Sequence, residues 1–284
     1  MLSVSSLASR PEYSISAVTC RDDHVRWSGP EVCDTHRVVL VRRGRFRRRV
    51  AGTPTDVDAT VGYVGLPDEE EHFAHPAGGD ECTSISLTPD WWRDLAGESP
   101  SLRADALYID ARLDLAHRRV LAAVQGRDAD YALSESLLGL LAATVGQVVS
   151  GPTPAGATRR PLKDERALVT SARQVISDGH PASVALLPLA ELLGVSPYRL
   201  SRAFSRELGV SVTRYRNRVR VGQALDRLEQ GENSLAALAA DLGFADQAHL
   251  CRTVRQLVGH TPTALRQLLV PASGVTDSHN RPPR

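Results

Sequence analysis

Through the first ninety residues, apolar positions come in short runs or alternate with polar ones, the pattern of extended chain. "HRVVLVRR" (36–43) and "RFRRRV" (45–50) flank Gly44 and predict a hairpin turning at Arg43–Gly44. "DATVGYVGL" (58–66) and "CTSISLTP" (82–89) predict further strands, separated by the polar, Pro- and Gly-punctuated loop "PDEEEHFAHPAGGDE" (67–81). After Trp91 the apolar spacing becomes helical, over 110–126 and 128–150, each with an Asp near its start. "SGPTPAGATRRP" (150–161) is unpatterned and reads as a linker, residues 162–270 read as wholly helical, and 271–284 as a disordered tail. The plan is α+β: a β-rich domain with a helical pair over 1–149, then an all-α domain.

The helical part contains a loose repeat. "SVALLPLAELLGVSPYRLSRAFSRELGVS" (183–211) and "NSLAALAADLGFADQAHLCRTVRQLVGHT" (233–261) each hold a short helix, a tight turn after glycine and a second amphipathic helix. Gly194 and Gly243 suit a left-handed helix end, and Ser196–Pro197 and Asp246 suit helix starts. Leu192, Val195, Leu200, Phe204 and Leu208 are expected on the inner face of the first unit, and Leu238, Leu242, Phe244, Leu250 and Leu257 on that of the second. This is helix-turn-helix logic. The polar positions left on the second helices include Arg and Gln, side chains that fork onto guanine or adenine edges, and short Ser and Cys, which allow close approach. Arg206 and Arg255 read equally well as solvated surface. Arg214, Arg216, Arg218 and Arg220, at the start of the connecting helix, are expected to neutralise phosphates.

These landmarks resemble the DNA-binding domain of the AraC/XylS regulators, in which two helix-turn-helix units are joined by a long helix, here Val212 to Glu229. Leu250, Val254 and Leu265 depart mildly from residues common in that family. The resemblance carries its base-reading positions onto Tyr198, Ser201, Arg202, Gln247, Ala248, Cys251 and Arg252. It implies a cupin-like β-barrel in the N-terminal part for effector binding or dimerisation, a double-stranded DNA operator, a homodimer and RNA polymerase as a further partner. It also implies a bacterial cytoplasmic transcription regulator with no enzymatic activity. The helices of 110–149 then either form a dimer face through Leu113, Leu121, Leu137, Leu141 and Val145 or pack only on their own barrel.

Charge agrees with that division. The formal net charge is only +1. Residues 159–284 carry 18 Lys and Arg against 11 Asp and Glu, a balance of +7, and residues 1–158 carry 16 against 22, a balance of −6. A polyanion partner is thus expected for the C-terminal part. The basic run Arg42 to Arg49 reads as a solvated strand face. No secretory leader or eighteen-residue apolar run is seen, so the four cysteines are expected in a reducing compartment and no membrane is expected as a partner. No H-E-x-x-H, G-x-S-x-G or phosphate-loop motif supports the rival reading of a metal-dependent cupin enzyme fused to a DNA-binding domain. A ligand-blind dimeric regulator is the other rival.

"CRDDHVRWSGPEVCDTH" (20–36) alternates Cys and His in the wrong order for a DNA-reading zinc finger. The preferred metal set is Cys20, His24, His75 and Cys82, gathered across the barrel, with zinc as the metal in a structural or regulatory role. Cys33 and His36 are alternates. Unrelated side chains, with the cysteines as small buried hydrophobes, and a thiol redox sensor are the competing readings.

Overall fold

The structure, a computed structural model, describes residues 1–97, 106–126, 129–149 and 163–269; the linker (150–161) and tail (271–284) assigned from sequence lie outside the described residues. The N-terminal part is an antiparallel sheet of β1 (Leu2–Ser9), β2 (Tyr13–Cys20), β3 (Glu31–Val32), β4 (His36–Val50), β5 (Thr53–Asp58), β6 (Val61–Gly65), β7 (Glu70–Ala74), β8 (Asp80–Leu87) and β9 (Ala106–Tyr108), with α1 (Pro89–Ala96), α2 (Ala111–Gln125) and α3 (Ala129–Val149). The main path runs β1-β2-β8-β4-β5-β6-β9, and β3 pairs β7, which pairs β4.

The hairpin expected at Gly44 is instead one strand. β4 continues through that glycine, paired to β8 and β6 over its first half and to β5 and β7 over its second. The turn falls at Ala51–Gly52, both at positive φ, as a two-residue hairpin requires. A bulge between Val41 and Arg43 inserts one residue, so Phe46 falls on the same face as Val39 and Val41 despite its even number.

Both faces of the sheet are apolar. Ile15, Val38, Leu40, Ile85 and Leu87 meet Leu113, Val120, Leu137, Leu140, Leu141 and Val145 of α2 and α3. Leu113, Leu137, Leu141 and Val145 are therefore spent on the protomer's own core, which for these four residues favours the second of the two readings over the dimer face. α3 is long and apolar enough to cross a membrane, but these same leucines pack on the sheet. The second face holds Val39, Val41, Phe46, Val57, Tyr63 and Cys82. Beside them Arg48, 1% exposed, is ion-paired to Glu71 at 2.6 Å and lies 4.3 Å from the Tyr63 ring centroid. The run 42–49 is thus not simply a solvated face: Arg48 is core, and Arg47 and Arg49 stack on Trp27.

The C-terminal part comprises α4 (Lys163–Ser177), a 3-10 turn (Pro181–Val184), α5 (Leu186–Leu192), α6 (Pro197–Leu208), α7 (Val212–Glu229), α8 (Leu235–Asp241), α9 (Gln247–Val258) and α10 (Pro262–Leu269). Ser196 and Asp246 cap α6 and α9 by accepting from Arg199 N and His249 N, and Gly209 and Gly259 end them in the left-handed region. Leu189, Leu200, Phe204 and Tyr215 centre one core. Leu238, Leu250, Val254 and Leu265 centre the other, together with Val221, Leu225 and Leu228 of α7. Leu192, expected inside, is 48% exposed, because the inward turn of α5 is taken by Leu189 and Ala190.

Candidate nucleic-acid interface and cysteine–histidine cluster

Burying one side of α6 and α9 leaves a polar side free. Tyr198, Arg202, Gln247, Ala248 and Arg252 are exposed, and Ser201 and Cys251 half-buried. Arg202 donates to the Tyr198 hydroxyl at 2.7 Å, one helical turn away, which orders both on the outer face. Arg202 and Arg252 occupy equivalent places, each six residues after its N-cap, Ser196 and Asp246. Arg206 is held by Glu165 at 2.8 Å. The first unit packs on the N-terminal end of α7 through Tyr215, and the second on its C-terminal half.

The four arginines at the start of α7 divide, and two expectations need correction. Arg214 is exposed and Arg216 half-buried, while Arg218 and Arg220 are buried and structural. Arg220 donates to the Leu242 carbonyl and lies 3.6 Å from the Phe244 ring centroid. Arg218 reaches the N-terminal domain, donating to the carbonyls of Ile109 at 2.7 Å and Ala59 at 2.9 Å and pairing with Asp114 at 3.2 Å. Burial alone would push Asp114 upward, but Arg218 and Arg118 outweigh it and hold the carboxyl below its usual range.

Arg218 belongs to a charged seam between the domains. Arg118, 4% exposed, binds Asp114, Asp226 and Glu229, each at 2.8 Å, and Glu229 also accepts from Arg42. Arg173 of α4 pairs with Asp58 at 2.5 Å, and the hydroxyls of Thr60 and Tyr215 are 3.0 Å apart. Ala111 and Leu115 of α2 enter the core of the second helix-turn-helix unit. A cavity of about 380 Å³ opens in this seam, lined by Gly44, Thr60 and Ala77 on one side and Arg218, Gly222 and Asp226 on the other. None of this was legible in sequence, because each partner lies far along the chain and an arginine on a helix looks the same whether it meets phosphate or protein.

The cysteine–histidine expectation has a spatial counterpart. Cys20 ends β2 and stands opposite Asp80 of β8, with Cys82 two residues further on. Gly79 lets the strands close up: a Cβ there would lie 2.3 Å from the Cys20 carbonyl oxygen. Ligand atoms of Cys20, His75 and Asp80 lie within 4.8 Å of one another. Asp80 Oδ1 is 2.8 Å from His75 Nδ1, and its Oδ2 accepts from the Cys82 thiol at 2.7 Å. The His24 and His75 ring centroids are 5.2 Å apart. His24 Nδ1 lies 2.7 Å from the Arg26 carbonyl oxygen, which can only accept, so Nδ1 is the donor there. Burial and the neighbouring Asp80 charge both push the Cys20 and Cys82 thiols upward.

Asp80 is the member sequence reasoning missed. It stands inside the loop "PDEEEHFAHPAGGDE" (67–81), between His75 and Cys82, but a carboxylate is a weaker metal signal than Cys or His. Cys33 and His36 are elsewhere: Cys33 Sγ contacts Thr35, and His36 stacks on Trp92 at 4.6 Å, with burial lowering its pKa.

A helix-turn-helix domain family matches residues 189–268. The chain is 35% identical over 77 residues to YbfI, an uncharacterized HTH-type transcriptional regulator of Bacillus subtilis, covering 27% of this chain and 28% of the relative. It is 33% identical over 108 residues to the arabinose operon regulatory protein of Escherichia coli, covering 37% and 36%. The C-terminal domain of AraT, a response regulator from Geobacillus stearothermophilus, shares 28% identity, covering 39% of this chain and 93% of that one, with a TM-score of 0.35. The chain thus spans about a third of the length of these curated relatives. The matched segment coincides with the two units built around α7, so the C-terminal part is a tandem helix-turn-helix domain. Over that segment the chain resembles the DNA-binding part of AraC-type regulators.

Proposed function

We propose that this protein is a sequence-specific DNA-binding transcription regulator whose N-terminal domain relays a signal to the paired helix-turn-helix units. The observation that carries the reading is the exposure of equivalent arginines, Arg202 and Arg252, on the free faces of α6 and α9. The two units pack at opposite ends of the 18-residue α7, a rod about 27 Å long, comparable to the roughly 34 Å turn of duplex DNA that separates successive major-groove segments. Tyr198, Ser201, Gln247, Ala248 and Cys251 supply the remaining base-edge candidates, and Arg214 is suited to phosphate.

A cytoplasmic location, contact with RNA polymerase, a homodimer and the absence of enzymatic activity belong to the same proposal. Because Leu113, Leu137, Leu141 and Val145 are spent on the protomer's own core, a dimer needs other residues, such as those of β1, an edge strand with Leu2 and Val4 exposed. Genome-wide footprinting with the purified chain, followed by gel shifts on recovered sites, tests the reading. Arg202→Ala and Arg252→Ala are each expected to weaken specific binding about 10- to 100-fold without loss of helical signal. Failure to enrich any site, or unchanged affinity in both variants, would overturn it.

A further inference from the structure

Cys20, His75 and Asp80 come from two places in the sequence and meet where β2, β8 and the loop 75–80 converge, and Cys82 joins them through its thiol's hydrogen bond to Asp80. The group is shielded: Cys20, Asp80 and Cys82 are all at most 6% exposed. Its donors are sulfur, imidazole nitrogen and one carboxylate oxygen, a set that suits Zn²⁺ or Co²⁺ and offers little to Mg²⁺ or Ca²⁺, which take oxygen. With Nδ1 turned to Asp80, His75 presents Nε2, the arrangement by which a carboxylate orients a ligating imidazole.

The loop is also placed to report on the site. Gly44 is pressed on it, since a Cβ there would lie 2.3 Å from the Gly79 carbonyl oxygen and 2.8 Å from Asp80 Cα. Gly44 and Ala77 both line the cavity in the domain seam, across from Arg218 and Asp226 of α7. His75 and Asp80, at the two ends of the loop, are thus separated from the seam by a few residues of tightly packed backbone.

We propose that Cys20, His75, Asp80 and Cys82 bind a zinc-class divalent ion, with His24 adjoining, and that occupation resets the 75–80 loop against α7. The metal site stands independently of the DNA-binding reading; only the regulatory consequence rests on it.

The test titrates reduced, chelator-treated full-length protein with Co²⁺. The expected result is a thiolate-to-metal absorption band that saturates at one ion per chain, is displaced by Zn²⁺ and is indifferent to excess Mg²⁺. Cys20→Ser, His75→Ala and Asp80→Asn should each weaken binding about 10- to 100-fold, whereas Cys33→Ser should not. Absence of the band in the unsubstituted protein, which depends on no variant's folding, would overturn the site. So would a band lost with Cys33 but kept without Cys20, or a Cys20–Cys82 disulfide forming in place of metal uptake. Hydrogen exchange across 218–226 is expected to change when Zn²⁺ binds. An unchanged pattern overturns the relay and leaves the ion site standing, and operator affinity without metal is decided by the gel shifts alone.

Discussion

His117 is 2% exposed, with Nε2 2.8 Å from the Thr83 hydroxyl and Arg42, Asp114 and Arg118 around it. Burial, then Arg42, pushes its pKa down from 6.5 to about 3. The unfolded chain therefore binds a proton between these values that the folded chain refuses, and stability falls as pH falls through that window. Between pH 7 and pH 5 this one group is expected to cost about 2 kcal/mol. Urea unfolding at both pH values checks it: His117→Gln, which can keep a hydrogen bond to Thr83, should lose most of that dependence, and equal slopes in both proteins would refute the assignment. At this scale residue type was enough to single out Cys20, His75 and Cys82, which the fold places beside Asp80. It was silent where burial decides, as with His117, Arg48 and Arg218.

At the scale of elements, β4 shows what local pattern can and cannot say. Its apolar–basic alternation correctly indicated extended chain, but Gly44 resembled a turn. The real reason for glycine is non-local: its φ of 76° and the approach of Gly79 and Asp80 leave no room for a Cβ. Gly52 is a built-in comparison, at φ 78° but with nothing within 4 Å. Gly52→Ala should cost only left-handed strain, about 1 kcal/mol, whereas Gly44→Ala adds a backbone collision and should cost at least about 2 kcal/mol more. Chemical denaturation of the two variants side by side measures the difference, and equal losses would show that the collision relaxes freely. The helix-turn-helix units were far more legible, because Ser196, Asp246, Gly209 and Gly259 cap their helices through contacts within a few residues. For them, a local pattern is sufficient information.

At the scale of the molecule, one helix serves both domains. α7 contributes Val221, Leu225 and Leu228 to the second unit's core and offers Arg218, Asp226 and Glu229 to the N-terminal domain. Tyr198, Arg202, Gln247, Ala248 and Arg252 stay exposed in the same conformation, so the N-terminal domain does not cover them. A signal arriving at the seam would thus act by shifting α7 and the units it carries, since nothing needs to be uncovered. Such a relay requires the domains to be energetically coupled, and the seam suggests how strongly. Arg118 is buried and shared among three carboxylates, so removing two of them leaves a buried guanidinium with Asp114 alone, whereas the half-exposed Asp226 contributes less because solvent screens it. The Asp226→Asn, Glu229→Gln double variant is expected to lose on the order of 2 kcal/mol of interdomain coupling. In calorimetry the unsubstituted chain should unfold in one cooperative transition and the variant in two, with calorimetric enthalpy exceeding the van't Hoff value. A variant that still melts in one unshifted transition would place the coupling in the apolar contacts of Ala111 and Leu115, and charge at the seam would then set orientation without holding the domains together.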